Sequence, residues 1–113
     1  MTAQDVIVDA RRRLRDQHGQ RWDDATLVGY LTAGLARTRQ LRPVLWLTTA
    51  GAMTPMATVT ALSSELGIDS GYLRALSHYV VAAALTGEDD DPANAKRAAE
   101  TYQAFMDELG ARR

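Results

Sequence analysis

Few side chains in this 113-residue chain have the type and spacing that chemistry requires. His18 and His78 are the two histidines, and neither lies in an HExxH-like pattern that would set two ligands and a base on one helical face. None of Ser63, Ser64, Ser70 and Ser77 stands in the GxSxG turn that exposes a nucleophilic hydroxyl. Cysteine is absent, which excludes thiol catalysis, disulfides and thiolate metal sites. Glu88-Asp89-Asp90-Asp91 is acidic enough to attract a divalent ion, but its residues are consecutive and do not match a calcium loop, so they read as a solvated link. Gly51-Ala52-Met53-Thr54-Pro55 lacks the later glycines and the lysine of a phosphate-binding loop. The sequence predicts no enzyme, no cofactor and no metal site.

Arginine offers a second kind of chemistry, the binding of phosphate. Arg11, Arg12, Arg13 and Arg15 are close in sequence, and Arg37, Arg39 and Arg42 form a second group. The first four spread over more than one face of a helix and are interrupted by Asp9 and Asp16. A helix-turn-helix candidate at Leu66-Gly67-Ile68-Asp69-Ser70-Gly71-Tyr72 leads into a helix whose one strong phosphate-binding residue is Arg74. The formal net charge of -1 also argues against a general nucleic-acid binder, leaving at most non-specific contact with DNA. Residues 1–50 carry eight basic and five acidic side chains, net +3, and residues 51–113 carry five and nine, net -4. That bias suits side-by-side docking of identical copies, although a short chain also scatters its charges by chance.

The elements that position these residues are mainly helical. The stretch from Asp23 to Pro43 is the helix around which the rest is organised: Asp23 caps it, Trp22 packs on Leu27, Leu27, Leu31 and Leu35 make its stripe, and Pro43 ends it. Ala3, Val6, Ile7, Ala10 and Leu14 predict an earlier amphipathic helix from residue 3 to about residue 17, closed by His18-Gly19 and joined to the next as a hairpin. Gly34 suggests a close helix contact, the alternative being an accident of sequence. Asp69 caps a third helix with Leu73, Leu76, Val80, Ala83 and Ala84 inside, and Asp91-Pro92 starts a fourth, lined by Ala95, Ala98, Ala99, Tyr102, Phe105, Met106 and Leu109.

Between the second and third helices the rhythm changes. Val44-Leu45-Trp46-Leu47 and Ala57-Thr58-Val59-Thr60 favour extended structure around a turn at Gly51 and Pro55, while residues 62–66 form a helical turn ending at Gly67. The expected fold class is mainly α: one domain, residues 1–113, a four-helix bundle-like subunit with a short β-ribbon or extended loop inserted between helices two and three. Two strands alone are marginal in water, so the ribbon needs cover from the helices or from a neighbouring subunit. No apolar run reaches membrane-spanning length, and MTAQDVIVDA lacks the features of a signal peptide, so no membrane partner and no export are expected.

Taken together, Arg21-Trp22-Asp23-Asp24-Ala25-Thr26-Leu27-Val28-Gly29-Tyr30-Leu31, Arg42-Pro43, Tyr72-Leu73-Arg74-Ala75-Leu76 and the run from Asn94 to Phe105 (NAKRAAETYQAF) resemble the head–tail connector, or adaptor, proteins of podovirus-type tailed bacteriophages. Thr32 stands where that family commonly has asparagine, and only Ala111, Arg112 and Arg113 follow Gly110, a short version of the segment with which the family grips its portal. The resemblance implies a structural virion protein, a homo-oligomeric ring of about twelve copies that binds the portal protein, meets tail or nozzle proteins and extends the DNA channel. It implies a place in the virion neck, reached from the host cytoplasm during assembly. On this reading Arg11, Arg12, Arg15, Trp46, Met53, Met56, Arg112 and Arg113 supply neighbour or portal contacts, since arginine and large apolar side chains anchor interfaces. Trp22, Leu27, Leu31, Tyr102 and Phe105 fill the core. The alternative is a small dimeric DNA-binding or regulatory helical protein.

Overall fold

Short polar side chains set where the helices begin. Thr2 accepts the Asp5 amide hydrogen at 3.4 Å while the Asp5 carboxylate accepts that of Thr2 at 2.8 Å, a reciprocal cap that starts α1, Ala3–Leu14. Asp23 accepts from the Thr26 amide at 2.7 Å and starts α2, Asp24–Leu41, which stops just before Arg42-Pro43, as expected. Asp69 accepts from the Gly71 amide at 2.8 Å and opens a 3-10 turn, Ser70–Tyr72, that feeds α3, Leu73–Thr86. The last helix, α4, is Pro92–Ala111. The computed structural model describes residues 1–16, 18–19, 21–47, 50–56, 58–87 and 92–111. The expected acidic link with its Asp91 cap, Ala57, and the tail residues Arg112 and Arg113 lie outside these.

The four helices form a bundle, and α3 is the one they share: it packs against α1, α2 and α4. The sequence pointed to α2 as organiser, with a single stripe on α3. Instead Ala75, Leu76, Ser77, Val80, Val81, Ala82, Ala84 and Leu85 are all buried, covering more than one face. The small residues among them let three helices approach at once, a role that a one-stripe reading cannot reveal. The main core joins Val6, Ile7 and Leu14 of α1 to Leu27, Leu31 and Leu35 of α2, with Trp22, Leu76 and Val80. A second cluster, Tyr72, Ala75, Phe105 and Leu109, seals α3 to α4. Trp22, Leu27, Leu31 and Phe105 are core residues as expected, while Tyr102 is half-buried at the edge of the second cluster.

α1 ends earlier than its periodicity predicts. Arg15, not Gly19, first takes the left-handed conformation (φ 56°) and closes the helix after Leu14. The cause is Asp16, whose amide bonds the Arg11 carbonyl at 2.9 Å and whose buried carboxylate accepts from the Arg21 and Trp22 amides and from the Arg11 guanidinium. This network turns the chain through the corner between α1 and α2.

The expected β-ribbon does not form. Among the described residues there is no strand, only two isolated antiparallel bridges, Leu47 with Met53 and Thr2 with Glu65. Pro43 begins a 3-10 turn, Pro43–Trp46, that carries Trp46 into the core at 3% exposure. The β-preference of valine, tryptophan and threonine reflects fit to a pleated, half-buried surface. Here the helices offer Trp46 a better burial than a two-stranded ribbon could. Nor is the segment a free insertion. Ala3 and Gln4 donate to the Ser64 and Leu62 carbonyls at 2.9 and 2.8 Å, and Leu66 donates to Met1 at 3.0 Å, so residues 62–66 cap the open amides of α1.

Candidate functional site

The arginines expected to act together are divided by the fold. Arg11 is buried: its guanidinium donates to the Trp22 carbonyl at 2.8 Å, to Asp16 at 3.1 Å and to Asp24 at 2.7 Å. It is the lock of the α1–α2 corner and presents no charge outward. Arg13 is held by Asp9 at 2.8 Å, so both acids that interrupt the run in sequence are used up by intramolecular pairs. Arg12 and Arg15 remain exposed. The α4 residue Arg97 reaches the same end of α1, donating to the Arg13 carbonyl at 2.9 Å.

Trp46, expected at an interface, is inside the chain, with the Arg39 guanidinium 5.8 Å from its ring centroid. Met56 is half-buried against the main core. Met53 is exposed at 45% and Leu47, its bridge partner, at 44%. Trp46 holds this bridge in place, because its carbonyl accepts from the Thr54 amide at 2.6 Å. Of the expected interface residues, then, Arg12, Arg15 and Met53 face outward, Arg11 and Trp46 support structure from within, and Arg112 and Arg113 lie outside the described residues.

The two histidines do not converge. His18 is exposed beyond the end of α1, and His78 lies half-buried on α3. Arg13 Nη1 is 3.3 Å from His78 Nε2; a guanidinium only donates, so Nε2 accepts and the ring is neutral with its hydrogen on Nδ1. That Nδ1 is buried without a partner. Burial and then the Arg13 charge push the His78 pKa below its ordinary value, against the opposing pull of Glu108 and Asp9. Partial burial works to raise the Asp9 carboxyl, but the neighbouring Ser77 hydroxyl and paired Arg13 outweigh it and hold it below the usual value. This Asp9, Arg13, Ser77 and His78 cluster ties α1 to α3. Among the described residues no group of three histidine, aspartate or glutamate side chains is placed to hold a metal ion.

Two surfaces stand out, of which the first escaped the sequence reading. The first is an open groove of about 820 Å³ between the end of α3 and the start of α4, lined among the described residues by Tyr79, Ala83, Leu85, Pro92, Ala95, Ala99 and their neighbours, none of these formally charged. Ala95 and Ala99 were assigned to a buried stripe, yet both are exposed and only Ala98 between them is core. Of the lining hydroxyls, that of Thr86 donates to the Ala82 carbonyl at 2.7 Å and that of Tyr102 accepts from Arg37 at 3.1 Å. The second is the excursion after α2. Residues 43–64 contain no charged side chain, and 50–55 are exposed throughout. The signal was present in the sequence as a 22-residue gap between Arg42 and Glu65 in an otherwise charge-rich chain. No protein-family model, curated protein or solved structure matches the chain.

Proposed function

We propose that this chain is a structural adaptor subunit of a tailed bacteriophage, binding the portal and extending the DNA channel towards the tail as one member of a ring. The observation that carries the reading is that several residues of the connector-like sequence pattern are ones that hold the helices together. Trp22 and Asp23 form the α1–α2 corner, Arg42 donates to the Leu109 carbonyl, and Tyr102 and Phe105 pack their rings with Tyr79, at 6.1 and 5.2 Å between centroids. A building block needs such a framework and outward surfaces, and performs no turnover. The exposed apolar residues after α2 and the exposed Arg12 and Arg15 are the surfaces it offers.

The test is the mass of the complex formed when the purified chain is mixed with a podovirus-type portal ring. Binding in a ratio of one chain per portal subunit is the expected outcome. The exposed Arg12 and Arg15 also favour the second reading, a small dimeric DNA-binding or regulatory protein. A chain that stays dimeric, ignores the portal and shifts duplex DNA would establish that reading and overturn the adaptor.

A further inference from the structure

We propose that His78 is a proton-operated latch: the neutral ring ties α3 to α1 through Arg13, and the protonated ring releases Arg13 and ties α3 to Glu108 of α4 instead.

The neutral seat is fixed by what a guanidinium can do. Arg13 Nη1 stands 3.3 Å from His78 Nε2 and has only hydrogens to give, so the contact exists only while Nε2 keeps a free lone pair. A proton there turns the acceptor into a donor and sets two cations against each other. Both side chains are partly buried, so water screens that repulsion incompletely. The neutral seat is also imperfect, because the hydrogen on Nδ1 is buried with no partner among the described residues. Little holds the ring in place once the proton arrives. Burial and the Arg13 charge keep it neutral near neutral pH, and the latch changes over in acid.

The charged neighbours decide where the ring goes. Among the described residues, those acting on it are Arg13 and Asp9 of α1, Arg74 of α3 itself and Glu108 of α4. The arginines repel an imidazolium and the carboxylates attract it. Asp9 is committed to Arg13, accepting from its Nε at 2.8 Å, so an imidazolium drawn to Asp9 would stay beside the cation it must leave. Glu108 is the more available acceptor. Its partner Arg74, with Nε 3.3 Å from Oε1, is exposed and can give up the pair to water at small cost. Arg74 and His78 are four residues apart on α3 and share a face, so one can replace the other on Glu108. Protonation thus trades a link across the α1–α3 seam for one across the α3–α4 seam. α1 keeps the core contacts of Leu14 and the bond from Arg97 to the Arg13 carbonyl, so it is loosened at one seam without being released.

The experiment is a nuclear magnetic resonance titration of the full chain, following the His78 ring from about pH 7.5 to about pH 4.5. At the upper end the ring nitrogens should report the tautomer with hydrogen on Nδ1, and the ring protons should show contacts to Arg13. Through the titration the Arg13 contacts should be lost and contacts to Glu108 should appear. Arg13→Met should move the midpoint up and abolish the neutral-state contacts, and Glu108→Gln should move it down and abolish the acid-state contacts. A merely structural role for either side chain would leave the midpoint where it is. The opposite tautomer, Arg13 contacts that persist on the charged ring, or a midpoint unmoved by either substitution overturns the latch. So does a wild-type chain that unfolds before His78 titrates. If a variant does not fold, the wild-type contacts decide alone.

Discussion

A β-carbon added to Gly34 would stand 2.8 Å from Cδ1 of Tyr79 and 3.2 Å from Cγ, closer than carbon atoms tolerate. The missing side chain on α2 is the space into which α3 sets its tyrosine. That ring in turn stacks edge-on to Phe105 of α4 at 5.2 Å, so one glycine governs the spacing of three helices. Turning the ring moves Cδ1 but leaves Cγ at 3.2 Å and Cβ at 3.5 Å in place, so the root of the tyrosine stays crowded.

Gly34→Ala should therefore destabilise the protein, the crowding of about 1–3 kcal/mol exceeding the roughly 1 kcal/mol that alanine gains in helix propensity. Gly29 lies in the same helix with open space around it, and Gly29→Ala should stabilise by about 0.5–1 kcal/mol. Urea midpoints of the two variants, compared with the wild type, measure both signs. Stabilisation by both substitutions would refute the Gly34–Tyr79 contact.

Arg11→Met should cost about 3–5 kcal/mol, because it leaves the buried Asp16 carboxylate without its cation. Asp16→Asn keeps an acceptor for the Arg21 and Trp22 amides while removing the charge. The double variant should consequently cost less than the two single costs added together. A double-mutant cycle in urea reads the coupling, and strict additivity would mean that the pair is not energetically linked.

Trp46→Ala should lower the stability of the isolated chain by about 3–5 kcal/mol through the cavity it leaves, whereas Met53→Ala should change it by less than about 0.5 kcal/mol. Thermal and urea unfolding distinguish a core tryptophan from an exposed methionine. Equal costs would contradict the division between the two.

Acidification should weaken the fold through His78. Its folded pKa is below the ordinary value of 6.5, so between the two values the unfolded chain binds more protons and stability rises with pH. The contribution is complete above about pH 6.5 and lost as pH falls towards the folded pKa. A protonated Nε2 would also turn a second donor on Arg13. The lowered pKa of Asp9 acts in a separate, more acidic window, with stability present above its ordinary 3.8 and lost as pH falls through the folded value. Urea midpoints from pH 5 to 7 should slope for the wild type and flatten for His78→Gln; an unchanged slope would assign the effect to another group.

Much of this molecule is written in local chemistry. The caps at Asp23 and Asp69, the stop at Pro43, and the leucine stripe of α2 each depend on neighbours within a turn or two, so spacing alone exposes them. The close contact at Gly34 was legible as a glycine where a helix would prefer alanine, though its partner Tyr79 was not. The Thr2–Asp5 cap was equally local, but the reading of α1 rested on its apolar positions and did not include it.

Tertiary packing decided the rest. Whether Arg11 faces solvent or Asp16, whether Trp46 joins a ribbon or the core, and which helix the others share all turn on partners many residues away. Residues 43–64 carry β-preference without a sheet to satisfy it, and the burial offered by four packed helices outweighs that preference. The groove belongs to neither helix by itself: α3 and α4 each supply a wall of small residues, and a concave surface exists only once the two are set side by side.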